Sequence, residues 1–370
     1  MIRSISNPED LFRLDSAEHD GPIEIGETEF AFFQRSTHPH AVRARVILNA
    51  WFRAYPNRAR STLRKRIQSK PPHAFDSSVF ELYVHALLRA CGFDVEVNDV
   101  AVPEQGRQRP DFLASEPSSK RRYYVEATVV RGSQQDRSLD AQLYQLNWYA
   151  SRHVRESGFA VGLRRRGIQR GEGNISPRAF ATFLNEWFRD SRAPDASEER
   201  TYRHAGSGWT LPLRLIRLEN PGKRLDQVIA IQTGAARWSC EGVDVLRKEL
   251  NSKRRKYKRL DAPLVVAVAC NDFVLQLGPE EMREALVGTG CDSVWRRRGG
   301  DVRRAPIGVL YVNGCYASGL QEAAPCLWEN PSWAEQLRPW PLPRTELRGD
   351  ALTAEHRPGQ RAATLLRIES

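Results

Sequence analysis

Apolar residues recur along the chain with two different periods, and each change of period marks a change of element. From 40 to 68, HAVRARVILNAWFRAYPNRARSTLRKRIQ places apolar side chains on one helical face and arginines on the other, with Pro56 dividing it into two helices. A third helix is predicted over 76–92, where Gly92 is a natural stop. Period-two alternation then predicts short strands at 94–97, 111–114 and 123–130. Helical spacing returns over 139–156, where Leu139, Leu143, Leu146, Ala150 and Val154 form one stripe.

Further along, FAVGL predicts a strand, and Ser176 is an N-cap candidate for a helix over 177–189. The polar stretch 191–208 predicts a loop, followed by strand-like LPLRLIRLE and QVIAIQT. A basic helix over 243–260 leads into PLVVAVAC, a buried-strand pattern; a short helix near 280–286 and the strand IGVLYV follow. Beyond Trp333 proline and arginine dominate, predicting an irregular tail. The alternation of helices and strands predicts an α/β fold: a central mixed sheet flanked by helices. Its expected parts are an N-terminal helical extension (1–70), the main domain (71–330) with an insertion at about 158–240, and the tail (331–370).

Composition narrows the function classes. At 370 residues with 41% hydrophobic and 27% charged, the chain can bury a sizeable core. The N-terminus lacks an apolar leader, and LVVAVAC is too short to span a bilayer. The six cysteines form no CxxC pair, which together with the missing leader predicts a reducing, cytoplasmic setting and no membrane partner. His38 and His40 have no cysteine nearby to complete a zinc site. The net charge of +11 predicts attraction to polyanions, nucleic acid first, and no Gly-rich phosphate loop supports a small phosphate ester instead. Arg43, Arg45, Arg64, Lys65, Arg254 and Lys256 are candidate phosphate contacts taken together, although a solvated amphipathic face is the better account of any single arginine.

Two acids interrupt strand-like runs in RPDFLASEPSSKRRYYVEATVV, residues 109–130. If the turn is centred between Ser118 and Ser119, antiparallel partners have numbers summing to 237, and Asp111 faces Glu126. Opposed like charges destabilise a sheet unless a cation sits between them or one acid is protonated. Mg²⁺ or Mn²⁺ suits such a site, because hard divalent ions take oxygen ligands. Alternation places Thr128 on the same face as Glu126. Asp111 also reads as a solvated strand start, whereas Glu126 sits inside an apolar run where an unpaired carboxylate costs several kcal/mol.

FELYVHALLRACGF, then "PD" on one strand and "EAT" on the next, resembles the core of the PD-(D/E)XK nuclease superfamily, the restriction-endonuclease-like fold, over about residues 75–157. The resemblance implies that Asp111 and Glu126 ligate a divalent metal, joined by the Ala127 carbonyl and assisted by Glu81. It also implies a lysine at 128, where this chain has Thr128. Glu81 equally reads as half of a capping box with Ser78. Gln145 and Tyr149 are similar to a Q-x-x-x-Y motif of one branch of these nucleases, making Gln145 a further site candidate.

Only eight lysines exist to replace the missing one. Lys253 falls on the stripe Leu246, Leu250, Tyr257 and Leu260, and a lysine on a buried stripe needs an anion or must snorkel outward. The expectation is therefore a metal-dependent phosphodiesterase acting on DNA or RNA, with Lys253 reaching Asp111 and Glu126 and with defence against foreign DNA as the setting the fold suggests. A nuclease fold without chemistry, serving as a nucleic-acid-binding or protein-interaction module, is the alternative; a homodimer is left open.

Overall fold

The chain divides into two units in the computed structural model: Met1–Arg131 with Ser239–Ser370, and Gly132–Trp238. Residues described are 9–15, 27–98, 109–131, 134–155, 158–164, 167–191, 198–218, 228–232, 240–257, 260–270, 277–288, 293–296, 306–332, 337, 340–348 and 353–368.

The first unit begins with helices α1 (Glu29–Arg35), α2 (Pro39–Ala54), α3 (Asn57–Ile67) and α4 (Pro72–Ala90), then strands β1 (Asp94–Val97), β2 (Phe112–Ser115) and β3 (Arg122–Val130). The second unit supplies α5 (Gln134–His153), β4 (Phe159–Arg164), α6 (Pro177–Asp190), β5 (Glu199–Arg203), β6 (Thr210–Arg217) and β7 (Ile229–Gln232). The first then resumes with α7 (Cys240–Lys256), β8 (Leu264–Cys270), α8 (Pro279–Val287), β9 (Gly308–Asn313), β10 (Ala324–Glu329), β11 (Arg344–Arg348), β12 (Thr353–Arg357) and α9 (Ala362–Leu366).

In the first unit eight strands form one mixed sheet, ordered β1-β2-β3-β8-β9-β10-β11-β12. β1, β2 and β3 pair antiparallel, and β3, β8 and β9 run parallel. β8 explains its own continuous apolar run. Val265, Ala267 and Ala269 join a core with α1–α4, while Leu264, Val266 and Val268 join one with α7 and α8. A central parallel strand has no solvent face, so alternation vanishes from its sequence. Among the described residues no helix is long and apolar enough to cross a membrane.

Three expectations about boundaries change. Helices α1–α3 are not an extension; Phe33, Leu48, Trp51, Phe52, Leu63 and Ile67 belong to the same core as Val265. The proline-rich tail is not irregular throughout, because β11 pairs parallel with β10 and β12 closes the sheet edge. Leu342 and Leu347, too sparse for a pattern, are buried there. The excursion starts at Gly132 rather than near 158, so α5 belongs to the second unit, packing on α6. That unit has a sheet β5-β6-β4-β7, with β5 inside the stretch expected to be a loop. Ser176 caps α6 as expected, its Oγ accepting the Ala179 N–H at 3.3 Å. The third helix also begins earlier, at Pro72, and stops where Gly92 takes φ +89°.

Arg45 is the clearest correction. At 1% exposure it is no phosphate contact. Its Nη1 donates to the carbonyls of Phe33 (2.5 Å) and Ser36 (2.7 Å), closing the end of α1. Burial pulls its pKa below the ordinary arginine value. Arg45→Ala is expected to lower the unfolding free energy by about 3 kcal/mol in urea denaturation while leaving oligonucleotide affinity unchanged.

Candidate functional site

The hairpin of β2 and β3 has the register that the turn-centred reading expects. Phe112 pairs with Val125 and Leu113 with Tyr124, so partner numbers sum to 237. Asp111 stands one residue before β2, and its Oδ2 accepts the Ala127 N–H at 2.8 Å. Tyr124 N–H bonds Pro263, turning the backbone groups of the even-numbered residues of β3 toward β8. Ala127 therefore turns its N–H and carbonyl toward Asp111.

Side chains on β3 alternate across the sheet. Tyr123 and Val125 enter the core under α4, whereas Tyr124 and Val130 enter the core under α7. Glu126 and Thr128 share the α7 face, where apolar residues would otherwise continue. Glu126 is 4% exposed. Lys253 Nζ lies 2.9 Å from its Oε1, Lys256 Nζ lies 3.6 Å from the same oxygen, and Tyr257 O–H donates to Oε2 at 2.7 Å. Thr128 O–H donates to Glu249 Oε1 at 2.9 Å, and Glu249 lies 3.5 Å from Lys253. One turn of α7 thus supplies the positive charge that Thr128 lacks.

Burial alone would push Lys253 down, yet Glu126, Glu249 and Asp111 outweigh it and hold its pKa above the ordinary lysine value. Lys253 is consequently an ammonium at neutral pH, able to donate but not to accept a proton. Burial and the adjacent Glu126 likewise hold Tyr257 as a neutral phenol.

A second network lies under α4. Glu81, also buried, accepts Tyr55 O–H at 2.7 Å and meets Arg66 Nη2 with both oxygens, at 2.8 and 2.6 Å. The capping-box reading of Glu81 fails, because Ser78 lies well inside α4. His85, one turn beyond Glu81, packs edge-on against Tyr55 at 4.8 Å and tilted against Phe112 at 6.1 Å. Burial, then Arg89, lowers its pKa to about 4, so it is neutral.

Asp111 feels both networks. Burial first, then the Glu126 and Glu81 carboxylates, raise its pKa to about 8, against a lowering by the Ala127 N–H and Lys253. Among the described residues it has no ion pair. An acid placed among acids and left without a counter-charge is the expected condition of a cation site. The available donors, Asp111, Glu126 and the Ala127 carbonyl, are all oxygens and fit Mg²⁺ or Mn²⁺, which commonly use one or two carboxylates and complete their shell with water and phosphate. Among the described residues no three His, Cys, Asp or Glu side chains converge on one metal position. Glu81 is committed to Arg66 and Tyr55.

The remaining candidates are scattered. Gln145 lies half-buried on α5, in the second unit. Arg43 and Lys65 are exposed on α2 and α3. Arg64 stacks on Phe52 at 5.1 Å, and Arg254 Nε donates to Asn251 at 3.1 Å. Lys256 lies over the Tyr257 ring at 4.7 Å, next to the acids. Sequence reasoning missed Tyr55, Arg66, Glu249 and Tyr257 as site residues. For the last two a signal existed: they flank Lys253 at four-residue spacing, Glu249 on α7 and Tyr257 just past its end. Tyr55 and Arg66 reach Glu81 only through tertiary packing. Comparison with known proteins returned no matching family model, no matching curated protein and no matching solved structure.

Proposed function

We propose that the chain is a divalent-metal-dependent nuclease that hydrolyses phosphodiester bonds of DNA or RNA. The observation that carries this reading is the half-buried Asp111, without an ion pair among the described residues, beside Glu126, with the Lys253 ammonium delivered to Glu126 from another element. Support also comes from the order helix α4 then strands β1-β2-β3, the part of the PD-(D/E)XK resemblance that lies within the first unit; the helix that follows it in the chain, α5, belongs to the second unit.

Asp111, Glu126 and the Ala127 carbonyl would hold the metal. When bound, it would polarise a phosphoryl oxygen and acidify the attacking water. Lys253, permanently charged, stabilises negative charge growing on the phosphoryl oxygens and keeps Glu126 oriented. Tyr257 fixes the second oxygen of Glu126, and Thr128 steadies Glu249, which in turn flanks Lys253.

One observation favours a second reading. Both Glu126 oxygens already have protein donors, so the network is satisfied without a metal and suits a nucleic-acid-binding module. Incubating plasmid and single-stranded DNA with Mg²⁺ or Mn²⁺, with and without chelator, separates the two. Cleavage abolished by chelator and by Asp111→Asn/Glu126→Gln is expected; DNA retardation without cleavage would leave only the binding module.

A further inference from the structure

We infer that Arg66, anchored by Glu81, is a phosphate-contact residue on the α3 side of the acidic site, opposite the lysines of α7. This rests on the nucleic-acid reading above and assigns Glu81 to positioning an arginine, not to holding metal.

Glu81 takes two contacts from a single guanidinium nitrogen, Nη2, at 2.8 and 2.6 Å. Nε and Nη1 hydrogen-bond no described residue. The Arg66 side chain is 43% exposed, whereas that of Glu81 is 9% exposed, so the buried acid grips one end and the other faces solvent. Tyr55 O–H holds the same carboxylate at 2.7 Å, which leaves Glu81 little freedom to swing away. An arginine tethered in this way has lost much of its side-chain entropy before any ligand arrives.

Position supplies the rest of the argument. Tyr55 packs on His85, and His85 packs on Phe112, the residue that follows Asp111. Asp111 contributes to holding Arg66 charged, although burial works against it and Glu81 contributes more. On the other side of Asp111, Lys253 and Lys256 converge on Glu126. A phosphodiester approaching the acids therefore meets cations from α3 and from α7. Planar guanidinium donors suit phosphate oxygens.

The test measures binding of a fluorescein-labelled oligonucleotide, single-stranded and duplex, by anisotropy across a salt series in chelator. Arg66→Gln is expected to weaken binding on the order of tenfold and to lower the salt slope by about one. Arg66→Lys should recover the slope, and Glu81→Gln/Arg66→Gln should bind no worse than Arg66→Gln. Mn²⁺ affinity by calorimetry should be unchanged in Arg66→Gln and in Glu81→Gln, and near-ultraviolet circular dichroism checks folding. Wild-type slope in a folded Arg66→Gln would overturn the inference, as would loss of Mn²⁺ affinity in Glu81→Gln. If the wild type binds but does not cleave, a reduced Arg66→Gln slope still upholds the phosphate contact while the nuclease reading fails. Absence of oligonucleotide binding by wild type would sink both.

Discussion

Replacing Lys253 with methionine is expected to slow cleavage on the order of 10²–10⁴-fold. Methionine keeps much of the stem's packing and removes the charge 2.9 Å from Glu126. Lys256, at 3.6 Å from the same oxygen, is placed to replace part of the lost pairing, so the fold should survive. Because Glu126, Glu249 and Asp111 hold the Lys253 ammonium above the ordinary lysine range despite burial, it does not titrate near neutrality. The pH–rate profile of Lys253→Met between about pH 6 and 9 should therefore keep the wild-type shape at a lower level. Loss of a limb, as distinct from an upward displacement caused by removing the charge that lowers Asp111, would mean that Lys253 transfers the proton itself. Undiminished cleavage would show that α7 contributes packing alone.

Stability should fall as pH rises from about 4 toward 8, and Asp111 should account for on the order of 3–5 kcal/mol of the fall. A carboxyl whose folded pKa is raised binds its proton more tightly in the folded chain than in the unfolded one. Its stabilising contribution is complete below the ordinary aspartate pKa of 3.8 and is lost as pH climbs through about 8. Glu29 adds to the slope with the same sign: burial, then Asp76, raise it to about 8 against Arg131. Comparing urea unfolding of wild type with Asp111→Asn at pH 5.5 and 8.5 isolates Asp111, because the asparagine variant should lose much less stability over that interval. Added Mn²⁺ should flatten the wild-type slope by supplying the missing counter-charge, and should have no such effect on Asp111→Asn. Equal slopes in the two proteins without metal would mean that Asp111 is ionised and already compensated.

The strand and helix pattern was legible wherever one face is buried. β1 was located residue for residue, β3 within one residue, and the Pro56 break and Gly92 stop follow from backbone chemistry alone. The hairpin register was legible because a short turn couples its two strands directly. Lys253 was legible as a charge on an apolar stripe. Arg45 was misread for the converse reason: arginine content along a helix does not reveal which arginine turns inward to cap the end of another helix.

What the sequence by itself determined is local: periods, breaks, the hairpin's pairing, and the presence of two acids where a core would have none. Tertiary structure alone decided which distant cations answer those acids, drawing Lys253 to Glu126 across 127 positions and leaving Asp111 without an ion pair among the described residues. It also decided that α5 packs with the second unit and that the proline-rich tail completes the sheet. Periodicity reports which side of an element is buried; it carries no information about what is buried against it, and charge pairing depends on that second fact.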